Sequence, residues 1–268
     1  MLYSAFLACG ARHLRLVNDN YGEEFPLYYY DLATRLLMTG LKNPSNRELC
    51  AITAVVLNVY EVMSVNSVER MNHINGSRTL IIECGWNARS EGVAAACFWL
   101  HVGMELLSCL HFKRPVAWDT DEWGHDLNFP QAPETRRGME TLWTHRIVYI
   151  VTKITNLCAD TDKQDAKIRY TEWLELKSLI DDWERKIPRT MRPMYYLQPG
   201  QNTKSPSNFP QVWLPERTAV LARVFYHTGM ILLSNSHPYE ASTTPEMREM
   251  KMRNAHILCG IVRHVTDR

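Results

Sequence analysis

Residues 143–157 read WTHRIVYIVTKITNL, and residues 173–187 read WLELKSLIDDWERKI. In the first, Trp143, Ile147, Ile150, Ile154 and Leu157 recur at spacings of four, three, four and three. In the second, Trp173, Leu176, Ile180, Trp183 and Ile187 keep a matching rhythm, and Pro188 follows directly. A period near 3.6 puts each set on one face of an α-helix, and proline, which has no backbone N–H, stops the second. Apolar stripes of this kind belong to helices packed on a core.

The same rhythm extends outward. Leu27, Tyr30, Thr34, Leu37 and Leu41 follow Pro26, a residue suited to a first helical turn, and predict a helix ending near 40–44. Ser45-Asn46-Arg47-Glu48 has the form of a capping box, and the run it opens, to Met63, is apolar nearly all round and expected at the centre of the core. A helix at about 66–84 carries Val68, Met71, Ile74, Leu80, Ile81 and Ile82 around Asn75-Gly76, where the glycine invites close packing or a break. Residues 91–110 give another buried helix, and Pro215 opens one through Val220, Val224, Phe225 and Ile231. No segment alternates strictly in twos over a strand length, so a sheet is not expected.

The fold expected is therefore all-α, a multi-helix bundle or array with two long irregular loops, at about 112–139 and 188–214. The second holds Pro188, Pro193, Pro199, Pro206 and Pro210 around a polar centre at 200–205. Loops this long in a compact chain tend to be functional or partly disordered. No fixed-period repeat is visible, and the loop at 112–139 is at most a weak internal division of a single domain spanning 1–268.

Composition excludes little by itself. The 268 residues balance 30 basic against 29 acidic side chains, so bulk charge points to neither nucleic acid nor an anionic membrane. Seven cysteines, mostly inside apolar runs and with no C-x₂-C pair, read as reduced buried thiols and give no local zinc site. Asn75-Gly76-Ser77 matches a glycosylation sequon, read as chance because the first residues lack the basic flank of a secretory signal. The charge-free run at 49–60 is about half the roughly 20 residues a membrane span needs, and 93–110 contains His101 and Glu105, so both read as core helices and no membrane is expected.

Residues 110–130 read LHFKRPVAWDTDEWGHDLNFP, and Asp119, Asp121, Glu122, His125 and Asp126 crowd around Trp118 and Trp123. Counted from Asp119 as a calcium loop, Asp121 and Gly124 fit, but position 5 is Trp123 and position 12, where a bidentate Glu closes the shell, is Pro130. These acids are therefore expected in solvent, with the tryptophans anchoring the loop. His101 and Glu105 stand four apart on a buried helix but do not form H-E-x-x-H, so His101 is read as hydrogen-bonded in the core. Asp181-Asp182 begins a D-D-x-x-D-like cluster that fails at Arg185, leaving Asp181, Asp182 and Glu184 as a solvated face opposite Trp183. No G-x-S-x-G, P-loop or G-x-G-x-x-G occurs. Catalytic residues, metal ligands and cofactors are thus expected to be none.

Several stretches together resemble one known family. They are Tyr60-Glu61 with His73-Ile-Asn-Gly76-Ser-Arg-Thr-Leu-Ile, then Phe98-Trp99-Leu100 through Glu105 and Arg114-Pro115, then Trp143-Thr-His-Arg146. Trp183 through Pro188, Arg192-Pro193-Met-Tyr-Tyr196, Phe209-Pro210-Gln-Val-Trp213, His227-Thr-Gly-Met and Cys259-Gly260-Ile continue in order. Over about 1–263 this resembles the fungal-specific transcription factor domain found downstream of the zinc binuclear cluster in fungal regulators.

The resemblance implies a non-enzymatic helical regulatory domain in the nucleus, controlling metabolic or secondary-metabolite genes. Its implied partners are proteins of the transcription machinery or the regulator's own further segments, with a homodimer and a small-molecule effector both compatible. DNA would be contacted only indirectly, through a zinc cluster whose six cysteines this chain lacks. The chain is thus expected to be truncated at both ends relative to the family. Two alternatives stand beside this reading: a family member reused as a ligand-binding protein or enzyme of secondary metabolism, marked by a cavity near His101 and Glu105, and a scaffold using exposed aromatics of the two loops.

Overall fold

The computed structural model describes residues 1–64, 70–159, 165–201 and 207–266, without the side chains of 70–73 and 264–266. Val68, Pro206 and most of the polar loop centre lie outside the described residues, as do the side chains of Met71 and His73. Among the described residues the chain is predominantly α-helical, and it divides into two compact units, Met1–Ser108 and Cys109–Arg268.

The first unit contains α1 (Leu2–Val17), α2 (Glu24–Gly40), α3 (Arg47–Val62), α4 (Arg70–Glu83) and most of α5 (Gly92–Phe112). α1 packs on α2 and α3, and α3 packs on α4. Its core is built largely from small side chains, Ala5, Ala33, Ala51, Ala54 and Cys50, closed by Leu37, Leu57 and Leu80. Small residues also explain a correction in α2. The buried line is Pro26, Ala33, Leu37 and Gly40, while Leu27 and Leu41 stay half exposed at 55% and 50%. The helix has turned about one residue so that its smallest positions face α1 and α3. A Cβ on Gly40 would stand only 3.1 Å from Cys50 Sγ and Met1 Sδ.

Two further local expectations are corrected. The cap before α3 is not made by Ser45. Asn43 Oδ1 accepts from the Ser45 N–H at 3.0 Å, and Pro44 opens a short 3₁₀ turn (Pro44–Asn46) that leads into the helix. Proline presets the φ of that turn, which moves the capping position back by two residues. α4 runs unbroken through Gly76, where an added Cβ would meet nothing within 4 Å. Ile74, Leu80 and Ile81 are buried, but Ile82 is exposed. α3 is buried nearly all round as expected.

The second unit contains α6 (Glu140–Ala159), α7 (Ala166–Lys186), α8 (Arg217–Ser236) and α9 (Pro245–Thr266). Every member of the stripes Trp143–Leu157 and Trp173–Ile187 is buried. α6 is helical although nine of its twenty residues are β-branched, so the tertiary period overrides a local preference for strand. Its buried threonines are satisfied inside the helix: Thr144, Thr152 and Thr155 donate to the carbonyls four residues back at 2.8–2.9 Å. Two indoles tie helices together, Trp183 donating to Trp143 O at 2.8 Å and Trp173 to Leu233 O at 3.0 Å. α8 approaches closely at Gly229, where a Cβ would sit 2.8 Å from Ile180 Cδ1.

The loop after α5 is held onto this unit. α5 ends with Lys113 in the left-handed conformation (φ 52) and Arg114 N donating to Cys109 O at 3.1 Å, the hydrogen bond of a Schellman stop. Trp118 and Trp123 are buried, and the Trp123 ring stands 6.0 Å from Tyr149. The Arg146 guanidinium lies over Trp143 and Phe129 while donating to Asp126 O and Asn128 O.

The second loop contains a feature the sequence reading did not anticipate. β1 (Tyr195–Leu197) pairs antiparallel with β2 (Gln211–Trp213), Tyr196 opposite Val212. Three-residue strands are too short for alternation to show, so the period test had nothing to detect. The hairpin packs on α9 at Gly260, where an added Cβ would fall 2.1 Å from Pro210 O.

Candidate functional site

The residues singled out from sequence are not brought together. In the acidic loop Asp119 Oδ1 accepts from Asp121 N and caps a 3₁₀ turn (Thr120–Trp123), with Gly124 left-handed behind it. Asp121 pairs with Lys153 at 2.6 Å and accepts from Tyr149 OH at 2.9 Å, contacts that lower its pKa below the usual carboxylate value. Asp126 accepts from Asn128 N. Asp119, Asp121 and Asp126 each face a different partner, and among the described residues no group of three or more His, Cys, Asp or Glu is placed to hold a metal.

On α7, Asp181 pairs with Lys177, and Asp182 with Arg185 and Lys186, which are surface pairs one turn apart. Glu184 departs from the expectation of a purely solvated face: it reaches across to the buried Arg223 of α8.

His101 and Glu105 belong to a buried polar chain inside the first unit. Asn58 Nδ2 donates to Ser77 Oγ at 2.6 Å, and Ser77 Oγ is 3.1 Å from His101 Nδ1. His101 Nε2 faces Glu105 at 3.3 Å, and Arg78 donates to Glu105 at 2.8 Å and to Asn75 at 3.1 Å. The chain crosses from α3 through α4 to α5, and it accounts for two ionisable groups inside a helix that is long and apolar enough, by composition alone, to span a bilayer. Ser77, the hydroxyl residue of the sequon, is fully buried in it. Nearby lies a cavity of about 550 Å³ between α2, α3 and α4 whose polar rim is committed locally, Thr79 to Asn75 O and Arg47 to Glu83.

The second unit holds a different kind of site, a cleft of about 470 Å³ walled by α8, α9 and the hairpin. From α8 come Arg223, Tyr226, His227 and Met230, spaced so that three and four residues separate neighbours on one face. From α9 come Glu246, Glu249, Met250, Arg253, Asn254, Ile257 and Ile261 at the same helical spacing, and the hairpin contributes Tyr196 and Val212.

Inside, Arg223 is neutralised by Glu184 and donates from Nε to Met191 O at 3.0 Å. The Tyr226 ring stacks on Trp183 at 5.5 Å, and its hydroxyl is held protonated by burial and by the nearby Glu184 and Asp181. His227 is 6% exposed, its Nδ1 2.8 Å from Asn254 Oδ1, and burial lowers its pKa to about 4. At neutral pH it is an uncharged imidazole. None of these residues was marked from sequence as functional. The available signal was Arg223 and His227, four apart, inside a helix that otherwise reads as core.

Comparison with curated proteins and with solved structures gives no match. Comparison with family models gives one, the fungal specific transcription factor domain, matched over residues 1–266. With nearly the whole chain covered, in a predominantly helical fold, this protein belongs to the fungal specific transcription factor domain family.

Proposed function

We propose that this chain is a non-catalytic regulatory domain that works in the nucleus as part of a fungal transcription regulator. It modulates a metabolic or secondary-metabolite gene set, and a separate zinc-cluster module reads the DNA. Its contacts are with proteins of the transcription machinery or with further segments of the same regulator, and a homodimer is compatible with this role. The observation that carries the reading is the family match over residues 1–266. The helices supply a scaffold on which a side-chain rearrangement in one unit can alter a partner surface, and the polar cleft of the second unit is a place where a small-molecule effector can act.

The test is a fusion of residues 1–268 to an unrelated DNA-binding domain in a fungal host carrying a reporter with matching sites. A several-fold change in reporter transcription, with the fusion in the nucleus, is expected. An unchanged reporter from an expressed nuclear fusion counts against the proposal. The second reading, a family member reused as a ligand-binding protein or enzyme, draws on the same cleft and is favoured if small molecules bind while the reporter is unmoved.

A further inference from the structure

The hydrogen bonds around His227 fix which of its nitrogens carries the proton. Asn254 Nδ2 donates to Met250 O at 2.7 Å, so the atom that Asn254 turns toward His227 Nδ1 is its oxygen. An amide oxygen only accepts, which puts the imidazole proton on Nδ1 and leaves Nε2 with its lone pair. Among the described residues neither Nε2 nor the neighbouring Tyr226 hydroxyl has a hydrogen-bonding partner, and both residues line the cleft. Arg223 is already paired with Glu184, and Glu246, Glu249 and Arg253 sit on exposed rim positions where water screens them.

We propose that the cleft binds a flat, uncharged, hydroxyl-bearing small molecule, its hydroxyl donating to His227 Nε2 and its apolar body lying against Tyr226, Met230, Ile257 and Ile261. The volume, about 470 Å³, is in the range of small-molecule sites, and Val212, Met230, Met250, Ile257 and Ile261 give the lining an apolar part beside His227 and Tyr226. A buried acceptor left unpaired is costly, so a ligand lacking the hydroxyl is discriminated against. As a regulatory device this rests on the function proposed above, whereas binding itself is read on the purified chain and does not depend on it.

The experiment measures fluorescence binding of 2-naphthol, its methyl ether 2-methoxynaphthalene and the cationic 2-naphthylmethylammonium to the full chain. Saturable binding of 2-naphthol is expected, about fivefold to tenfold tighter than the ether, as one net hydrogen bond allows. His227→Asn keeps an amide donor for Asn254 and removes only the Nε2 acceptor, so it should erase the difference between naphthol and ether. The nitrogen NMR signal of His227 Nε2 in the unmodified protein gives a readout independent of any variant, and should shift from its lone-pair position on adding 2-naphthol. Equal binding of naphthol and ether, tighter binding of the ammonium probe, or an unmoved His227 signal overturns the proposal. A reporter response in the fusion assay without naphthol binding sinks this inference alone, and naphthol binding without a reporter response sinks the regulatory reading alone.

Discussion

The two units treat their buried polar groups in opposite ways. In the first, Asn58, Ser77, His101, Glu105 and Arg78 face one another in a chain enclosed by α3, α4 and α5, and Asn58 Oδ1 is itself buried. In the second, Arg223, Tyr226 and His227 are held by their neighbours on one side and open into a cleft on the other. Sealed networks specify a packing, because any partial loss strands a buried group. Open ones leave bonding capacity for something outside the chain. The difference teaches that a buried histidine is informative only when its second nitrogen is followed to its partner.

The largest expected break in this comparison comes from acid. His125, His145 and His227 all lie in the second unit, and each has a pKa lowered to about 4, chiefly by burial, with the charges of Arg146 on His125, of His125 on His145, and of Arg223 and Arg253 on His227 adding to the effect. The unfolded chain binds these protons near the ordinary value of 6.5, so the unfolded state gains protons first as pH falls. Stability is therefore full above about 6.5 and is lost progressively down to about 4, by several kcal/mol for the three together. Six of the eight tryptophans are in the second unit, so indole emission during urea unfolding at stepped pH reports mainly on it. A stability that stays flat between pH 6.5 and 4.5 would remove the contrast.

Next in size is Glu105→Ala, which strands His101 and leaves Arg78 without its carboxylate. A loss of about 3–5 kcal/mol in the first unit is expected from breaking one side of a buried pair. Glu105→Gln, which keeps hydrogen bonding, should cost clearly less. Equal effects of the two in denaturant titrations would show that the network contributes packing only.

Gly260→Ala probes the second unit. Its Cβ would fall 2.1 Å from Pro210 O, a backbone atom that cannot rotate away, so the hairpin must move off α9. A cost of about 1–3 kcal/mol is expected, together with faster amide exchange at Tyr195–Leu197 and weaker naphthol binding, since Ile261 and Val212 belong to the same wall.

The smallest effect has the opposite sign. Gly76→Ala in α4 meets nothing within 4 Å and should stabilise the first unit by about 0.5–1 kcal/mol through helix propensity, read as a rise in urea midpoint. The same change at Gly229, crowded by Ile180 and Val151, should not stabilise.

The helical fold was legible because large apolar residues repeat with the helical period. Trp143 through Leu157 and Trp173 through Ile187 are buried at every position of their stripes, and Pro188 ends α7 where its missing N–H requires. The period misled where small residues do the packing. In α2, Ala33 and Gly40 carry the interface, and the larger Leu27 and Leu41 were misread as its face. The capping box failed because a pattern of side chains does not say which residue the preceding proline turn places at the cap.

What the sequence by itself determined is the helices whose large apolar residues repeat, though not α1 or α9, the absence of a local metal or nucleophile motif, and a family whose signature lies in the order of aromatic and apolar positions. Only the tertiary structure decided what the polar residues do. Glu184 and Arg223 are 39 residues apart, His227 and Asn254 are 27, and Asn58 and Ser77 are 19, so no local window contains both partners. Hydrophobic periodicity is a property of one helix and can be read along it. Hydrogen bonding between helices depends on which faces meet, and that is fixed by the packing of the whole unit.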